Sequence, residues 1–440
     1  MSTDSNWLTP EPNDQNDSAA ASGMTAHTIE AAPTVSPSPL EKPNPKSAWV
    51  ILALVGGIAG VALSCFALAL IPFAFLQPAA LRSINSASTA VVSIISISGV
   101  GLMGAPLAWH ALRRMRRDEI EMWKTDWFWV VVSGIVIVLA LIAGQIILIF
   151  KLFAGIVGVL QYAAIMFTAL IFLSITIGNW DKFSQLRVWG HLASGAWLAV
   201  SASFIIEIVI AVVVVIVVAM TLSTFSPSEF SQLQRLFELY RRTGNLALFS
   251  AWAAKPWVIV LGFLMLSLIL PTVEELLKPL GVILMLKRKP TPMEAFVGGM
   301  LGGLGFAAVE TLSNLTAIGD AWLITILARF GTMVMHGLTA GMVGWGWGQL
   351  AATRSPWKLI RSFAGAIFIH GLWNGAVVTI VLISLRFGDN LRALQNVGNS
   401  AISIVLIGFS LLALIGMSLG GLAALWAVGM KLRASEQRQG

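Results

Sequence analysis

Glu274, Glu275, Lys278, Glu310, His336, His370 and Asn374 are the residue types that activate water, and each lies inside a run of apolar residues. A carboxylate can take a proton from water, an imidazole can position that water or ligate a metal, and an amide N–H can donate to a developing oxyanion. An ionised side chain at the centre of a bilayer helix costs about 2.5–3.5 kcal/mol, so such groups must be paired, wetted or used.

Their spacing supports convergence. Lys278 follows Glu275 by three residues and Glu274 by four, within reach of either acid and placed to orient the pair. Phe306 with Glu310, Glu310 with Asn314, and His370 with Asn374 are i,i+4 pairs, each sharing one helix face. Pro271 and Pro279 bracket the acidic pair, and Pro279 cannot donate to the Glu275 carbonyl, which predicts a kink there. Glu275 or Glu274 would act as general base, a histidine would position water, and Asn374 would serve the oxyanion. Glu275, Glu310, His336 and His370 are also candidate ligands for Zn²⁺ with an open position for water, although no HExxH occurs. Metal-bound and metal-free hydrolysis both stay open at this stage.

The elements that must hold these residues are membrane spans. The chain has 440 residues, 57% of them hydrophobic and only 11% charged, with repeated apolar runs long enough to cross a bilayer. These runs predict an all-α, polytopic integral membrane protein with about ten spans. They lie near 48–75, 88–112, 127–149, 153–177, 195–220, 257–286, 294–318, 322–350, 358–384 and 401–430. Only Lys151 separates the third from the fourth. Residues 1–46, polar and proline-rich, read as a disordered cytoplasmic tail rather than a cleaved leader. Residues 47–220 hold five N-terminal spans, 221–255 a non-cytoplasmic loop with an amphipathic helix, 256–384 a four-span core, and 385–440 a loop, the last span and a short tail.

Lys and Arg concentrate on one side, notably from Arg113 to Lys124 and from Lys287 to Lys289, which predicts that both termini face the cytoplasm. The net charge of +7 is scattered among short loops, so it gives no footprint for nucleic acid. Cys65 is the sole cysteine, which excludes an intrachain disulfide, a Cys-rich zinc site and an Fe–S cluster.

At 1.5 Å per residue, Glu275 lies ~18 Å from the inner end of its span, Glu310 ~24 Å, His336 ~21 Å, and His370 and Asn374 ~18 and ~24 Å. Four successive antiparallel spans thus deliver polar groups to one level, which argues for one shared site. The glycines at 298, 299, 302, 303 and 305, and those at 337, 341, 344, 346 and 348, form small-residue faces that permit close helix approach. His27, His110 and His191 fall outside this level, and Arg329 in the outer half of its span is expected to snorkel or pair.

At these residues the sequence resembles the PrsW family of membrane-embedded proteases, related to the CAAX-prenyl endopeptidases and bacteriocin-processing membrane proteins. The resemblance rests on PTVEELLKPL for an EExxK signature, GFAAVETLSNL for FxxxE, MHGLTAGMVG for the third-motif histidine and IHGLWNG for HxxxN. It spans roughly 257–384. It implies cleavage of a peptide bond within or beside the membrane, with Glu274 and Glu275 as catalytic carboxylates, Glu310, His336 and His370 completing the centre, and Asn374 as hydrogen-bond donor. It also implies a membrane-protein or lipid-embedded peptide substrate, with single-span anti-sigma factors as one class, and a prokaryotic plasma membrane.

Two other classes share this composition. Intramembrane Glu, His and Lys also build ion-coupled transporters, where Glu207 of the fifth span would be a natural element, and a non-catalytic receptor or scaffold could keep the fold. No inverted repeat is evident, and every motif residue is present.

Overall fold

The computed structural model describes residues 48–74, 84–117, 121–125, 127–150, 152, 155–178, 183–314, 322–387 and 397–437. The expected N-terminal tail lies outside them. Among the described residues there is no sheet, only helices and one isolated antiparallel bridge between Met122 and Ser184. Ten helical stretches are long and apolar enough to cross a membrane. They coincide with the ten expected spans to within a few residues, except that the fifth begins earlier and runs over Gln185–Phe225.

The helices are α1 (Ala48–Ala69), α2 (Ile84–Leu102), α3 (Gly104–Arg117), α4 (Trp127–Ile149) and α5 (Gly155–Thr176). The fifth span comprises α6 (Gln185–Ala193), a π-helical turn at Ser194–Ala199 and α7 (Val200–Phe225). The amphipathic α8 (Pro227–Thr243) follows, with none of its residues buried. The sixth span is broken into α9 (Pro256–Leu264), a π turn at Met265–Ile269, α10 (Leu270–Leu277) and α11 (Leu280–Met285). Then come α12 (Pro292–Asn314), α13 (Trp322–Thr353), α14 (Pro356–Phe387) and α15 (Val397–Gln437).

Apolar side chains cover both the interior and the lipid-facing surface, so hydrophobicity alone does not decide which helix is central. Small residues decide it. In α12, the most enclosed of the ten spans, there is no room for a Cβ at Gly299 against the Ala340 carbonyl or at Gly303 against the His336 carbonyl. Gly302 likewise abuts the carbonyl of Lys278. These backbone approaches draw α13 and the broken sixth span onto α12, and Met300, Leu301 and Leu304 fill the space between without measurable exposure. By contrast α7 and α15 expose most of their length, as helices bathed in lipid do.

Candidate active site

The acidic pair sits on a helix of only eight residues with a break on each side. Upstream, Pro271 has no N–H to offer the carbonyl of Ser267, and the chain widens into the π turn. The carbonyls so loosened find other partners: Leu266 accepts from Asn374 Nδ2 at 2.8 Å, and Leu268 accepts from Thr272 Oγ1 at 2.6 Å. Gly371 brings α14 against the Ser267 carbonyl, where a Cβ has no room. Downstream, the expected interruption occurs at Pro279, between the end of α10 and the start of α11. Such irregular backbone survives at membrane depth because it is enclosed by protein.

Around this short helix the polar side chains form two chains of contacts. In the first, Lys278 Nζ lies 2.6 Å from Glu275 Oε1 and 3.1 Å from Glu274 Oε2, and the same Glu275 oxygen accepts from Thr339 Oγ1 at 3.0 Å and lies 2.9 Å from His370 Nδ1. Glu275 and Lys278 are wholly buried, and the ammonium also sits 4.9 Å from the centre of the Phe306 ring. In the second, Arg329 donates from both terminal nitrogens to Glu310 Oε1 at 3.1 Å, while Glu310 Oε2 lies 2.8 Å from His336 Nε2. Each chain therefore reads cation, carboxylate, imidazole.

The two imidazoles meet edge to face, 4.9 Å between centroids. Because His370 uses Nδ1 for Glu275 and His336 uses Nε2 for Glu310, the nitrogens left over are His370 Nε2 and His336 Nδ1. The latter is buried without a hydrogen-bond partner. Glu274 closes the cluster, with Oε2 3.7 Å from His370 Nε2, and one donor atom from each of Glu274, His336 and His370 falls within 4.8 Å of the others. On the neighbouring residue, Glu275 Oε2 is likewise buried without a hydrogen-bond partner.

Six of the seven residues singled out from the sequence are thus brought together, with Lys278 serving both acids at once. Asn374 stands apart, its amide engaged by the π turn. Arg329 and Thr339 are additions. Their signal was present in the register of α13, since Arg329 precedes His336 by seven residues and Thr339 follows it by three, all on one helical face. His110 pairs instead with Glu121 at 3.1 Å, and His191 is buried against Gly281 and Gly298.

Ten helices apolar and long enough to cross a membrane among the described residues, four of them contributing to a centre of carboxylates and histidines, define a multi-pass membrane protein. Residues 195–406 match the PrsW family intramembrane metalloprotease, so the chain carries a PrsW-family domain and is a membrane-embedded peptidase. The matched segment begins within the π turn that precedes α7, and so includes Glu207. No curated protein and no solved structure matches the chain.

Proposed function

We propose that the centre formed by Glu274, Glu275, Lys278, Glu310, His336 and His370 hydrolyses a peptide bond of a membrane-anchored protein, a single-span anti-sigma-factor-like protein being the substrate class. The observation that carries the site assignment is the convergence of two cation–carboxylate–imidazole chains on Glu274.

The donor set suits a divalent zinc ion. One carboxylate and two imidazoles from three helices leave a fourth position open, and each imidazole is backed by its own carboxylate, the usual outer shell of a zinc histidine. The orphaned His336 Nδ1 is the strongest sign, because a buried ring nitrogen without a partner otherwise loses its hydration for nothing. In this assignment Glu274, His336 and His370 hold the ion, while Glu275 and Glu310, candidate ligands from the sequence, orient the histidines. When bound, the ion would polarise the scissile carbonyl and acidify water.

The rest is done by the chain. Glu275 Oε1 is occupied by Lys278, Thr339 and His370, so Oε2 is the atom placed to take the proton from the attacking water. Lys278 pairs with both carboxylates while its ammonium rests over the Phe306 ring. Arg329 holds Glu310, and through it the ring of His336. The enclosure by α12, α13 and α14 keeps bulk water from the centre and strengthens these interactions.

The charge bias supports an orientation with both termini in the cytoplasm, and the prokaryotic plasma membrane follows from the family resemblance alone. Matched cells expressing wild type or Glu275→Ala at equal levels test the function by sequencing of membrane-protein N-termini. New termini beside single-span segments should appear with wild type alone. Identical sets of termini from folded, inserted proteins would reject it.

A further inference from the structure

Glu207 is an intramembrane carboxylate that the mechanism above leaves unused. It lies on α7 one turn beyond Ser203, whose hydroxyl donates to Glu207 Oε1. Ser203 is buried, so the face the two residues share turns toward the protein, and α7 packs against α10, which carries the acidic pair. The depth agrees. Glu207 lies about 18 residues from the end of α7 at Phe225, and Glu274 about 18 residues from the start of α9 at Pro256, two ends joined by the same surface loop, so each is ~27 Å from that surface. Glu207 is also near enough to act electrostatically on Glu274.

What distinguishes Glu207 is the company it keeps. Glu274 and Glu275 share Lys278, and Glu310 has Arg329. Among the described residues Glu207 has no cation and no partner beyond Ser203. A carboxylate in that setting carries an electrostatic cost that a positive group from outside would relieve.

The peptidase reaction, on which this inference rests, generates such a group. The water oxygen bonds to the scissile carbonyl carbon, the C–N bond breaks, and its electron pair stays on nitrogen. Both hydrogens of water end on that nitrogen, one by way of Glu275, giving a carboxylate on one product and an ammonium on the other. With the scissile carbonyl at the imidazole centre, the new carboxylate would lie on the side of His336, His370 and Lys278. The ammonium side has no acceptor among the residues already assigned, since each of their carboxylates holds a cation.

We propose that Glu207 is the leaving-group residue of this peptidase: it accepts a hydrogen bond from the scissile N–H during cleavage and pairs with the new α-ammonium afterwards. An amide leaving group needs this acceptor at the membrane interior, where water cannot solvate the charge. An ester leaving group does not, because it departs as a neutral alcohol.

The test exploits that difference. The probes are two synthetic single-span peptides spanning a bond that the wild-type enzyme cleaves, identical except that one carries the amide and the other an ester at that bond. Full-length enzyme in liposomes is compared with Glu207→Gln, in which the side-chain carbonyl can still accept from Ser203, and with Glu207→Asp. Glu207→Gln should slow amide hydrolysis about a hundredfold, the scale of losing a group that acts on proton transfer, and alter ester hydrolysis by no more than about threefold. Glu207→Asp should restore part of the amide rate. All three proteins should still bind zinc one to one, because Glu207 is outside the donor set. Equal slowing of both probes, or an unchanged amide rate, overturns the proposal and leaves the peptidase reading standing. Hydrolysis of neither probe by wild type removes both.

Discussion

Arg329 of α13 and Glu310 of α12 meet through both terminal guanidinium nitrogens at 3.1 Å, and the second carboxylate oxygen of Glu310 reaches His336. The pair explains why an arginine is kept in the membrane interior: it anchors an imidazole at one remove. Arg329→Gln should free Glu310 to rotate, release the ring of His336 and weaken zinc binding about 10- to 100-fold, the range seen when outer-shell partners of metal ligands are removed. Competition with a chelator of known affinity measures this independently of turnover. Arg329→Lys, which keeps the charge but loses the planar fork, should fall between the two. Unchanged zinc affinity in Arg329→Gln would confine the arginine to helix packing.

Lys278 is shared by two acids, of which Glu275 is as fully buried as the lysine itself and Glu274 is mostly enclosed. Lys278→Ala should therefore destabilise the protein by about 3–5 kcal/mol, because it strands buried carboxylates rather than merely deleting a contact. Adding Glu275→Gln removes one stranded charge and should recover part of the thermal stability in detergent while leaving cleavage abolished. If the double variant is no more stable than Lys278→Ala, the ion pair is not what the lysine contributes.

These two contacts show how far sequence alone reaches. The spans were legible because a membrane helix is encoded by length and hydrophobicity, which local mutations barely disturb. The common depth of Glu275, Glu310, His336 and His370 followed from counting residues, and the helices place these side chains in contact. Two features escaped. Arg329 pairs, one of the two outcomes expected of it, but Glu310 as its partner escaped because counting locates a Cα, whereas a guanidinium reaches several ångströms beyond it. The π turn at Met265–Ile269 leaves no periodic mark, so the engagement of Asn374 with the Leu266 carbonyl had no signal except the missing N–H of Pro271.

The π turn gives a paired test of packing. Gly371 leaves no room for a Cβ against the Ser267 carbonyl, whereas at Gly375, one turn on, the nearest atoms lie 3.5 and 3.6 Å away, ordinary van der Waals contact. Gly371→Ala should force α14 away from the turn, shift His370 on the same helix, and cost about 1–3 kcal/mol. Gly375→Ala should be nearly neutral. Melting curves of the two variants in the same detergent decide the matter, and equal losses would mean that the close approach at Gly371 does not hold the acidic helix in place.

Removal of the metal separates the two forms of hydrolysis left open by the sequence. A membrane-permeant chelator should abolish cleavage, and Zn²⁺ should restore it, if Glu274, His336 and His370 act as ligands. The variants should differ in a way that activity alone does not reveal. His336→Ala and His370→Ala each delete a ligand and should lower the zinc content of the purified protein. Glu275→Gln replaces the carboxylate that takes the proton but keeps an oxygen able to accept from Lys278, Thr339 and the His370 ring, so it should retain zinc while losing cleavage. Elemental analysis of the three proteins reads this directly. Loss of zinc in Glu275→Gln equal to that in His336→Ala would move Glu275 from base to ligand and leave Glu274 as the carboxylate that activates water.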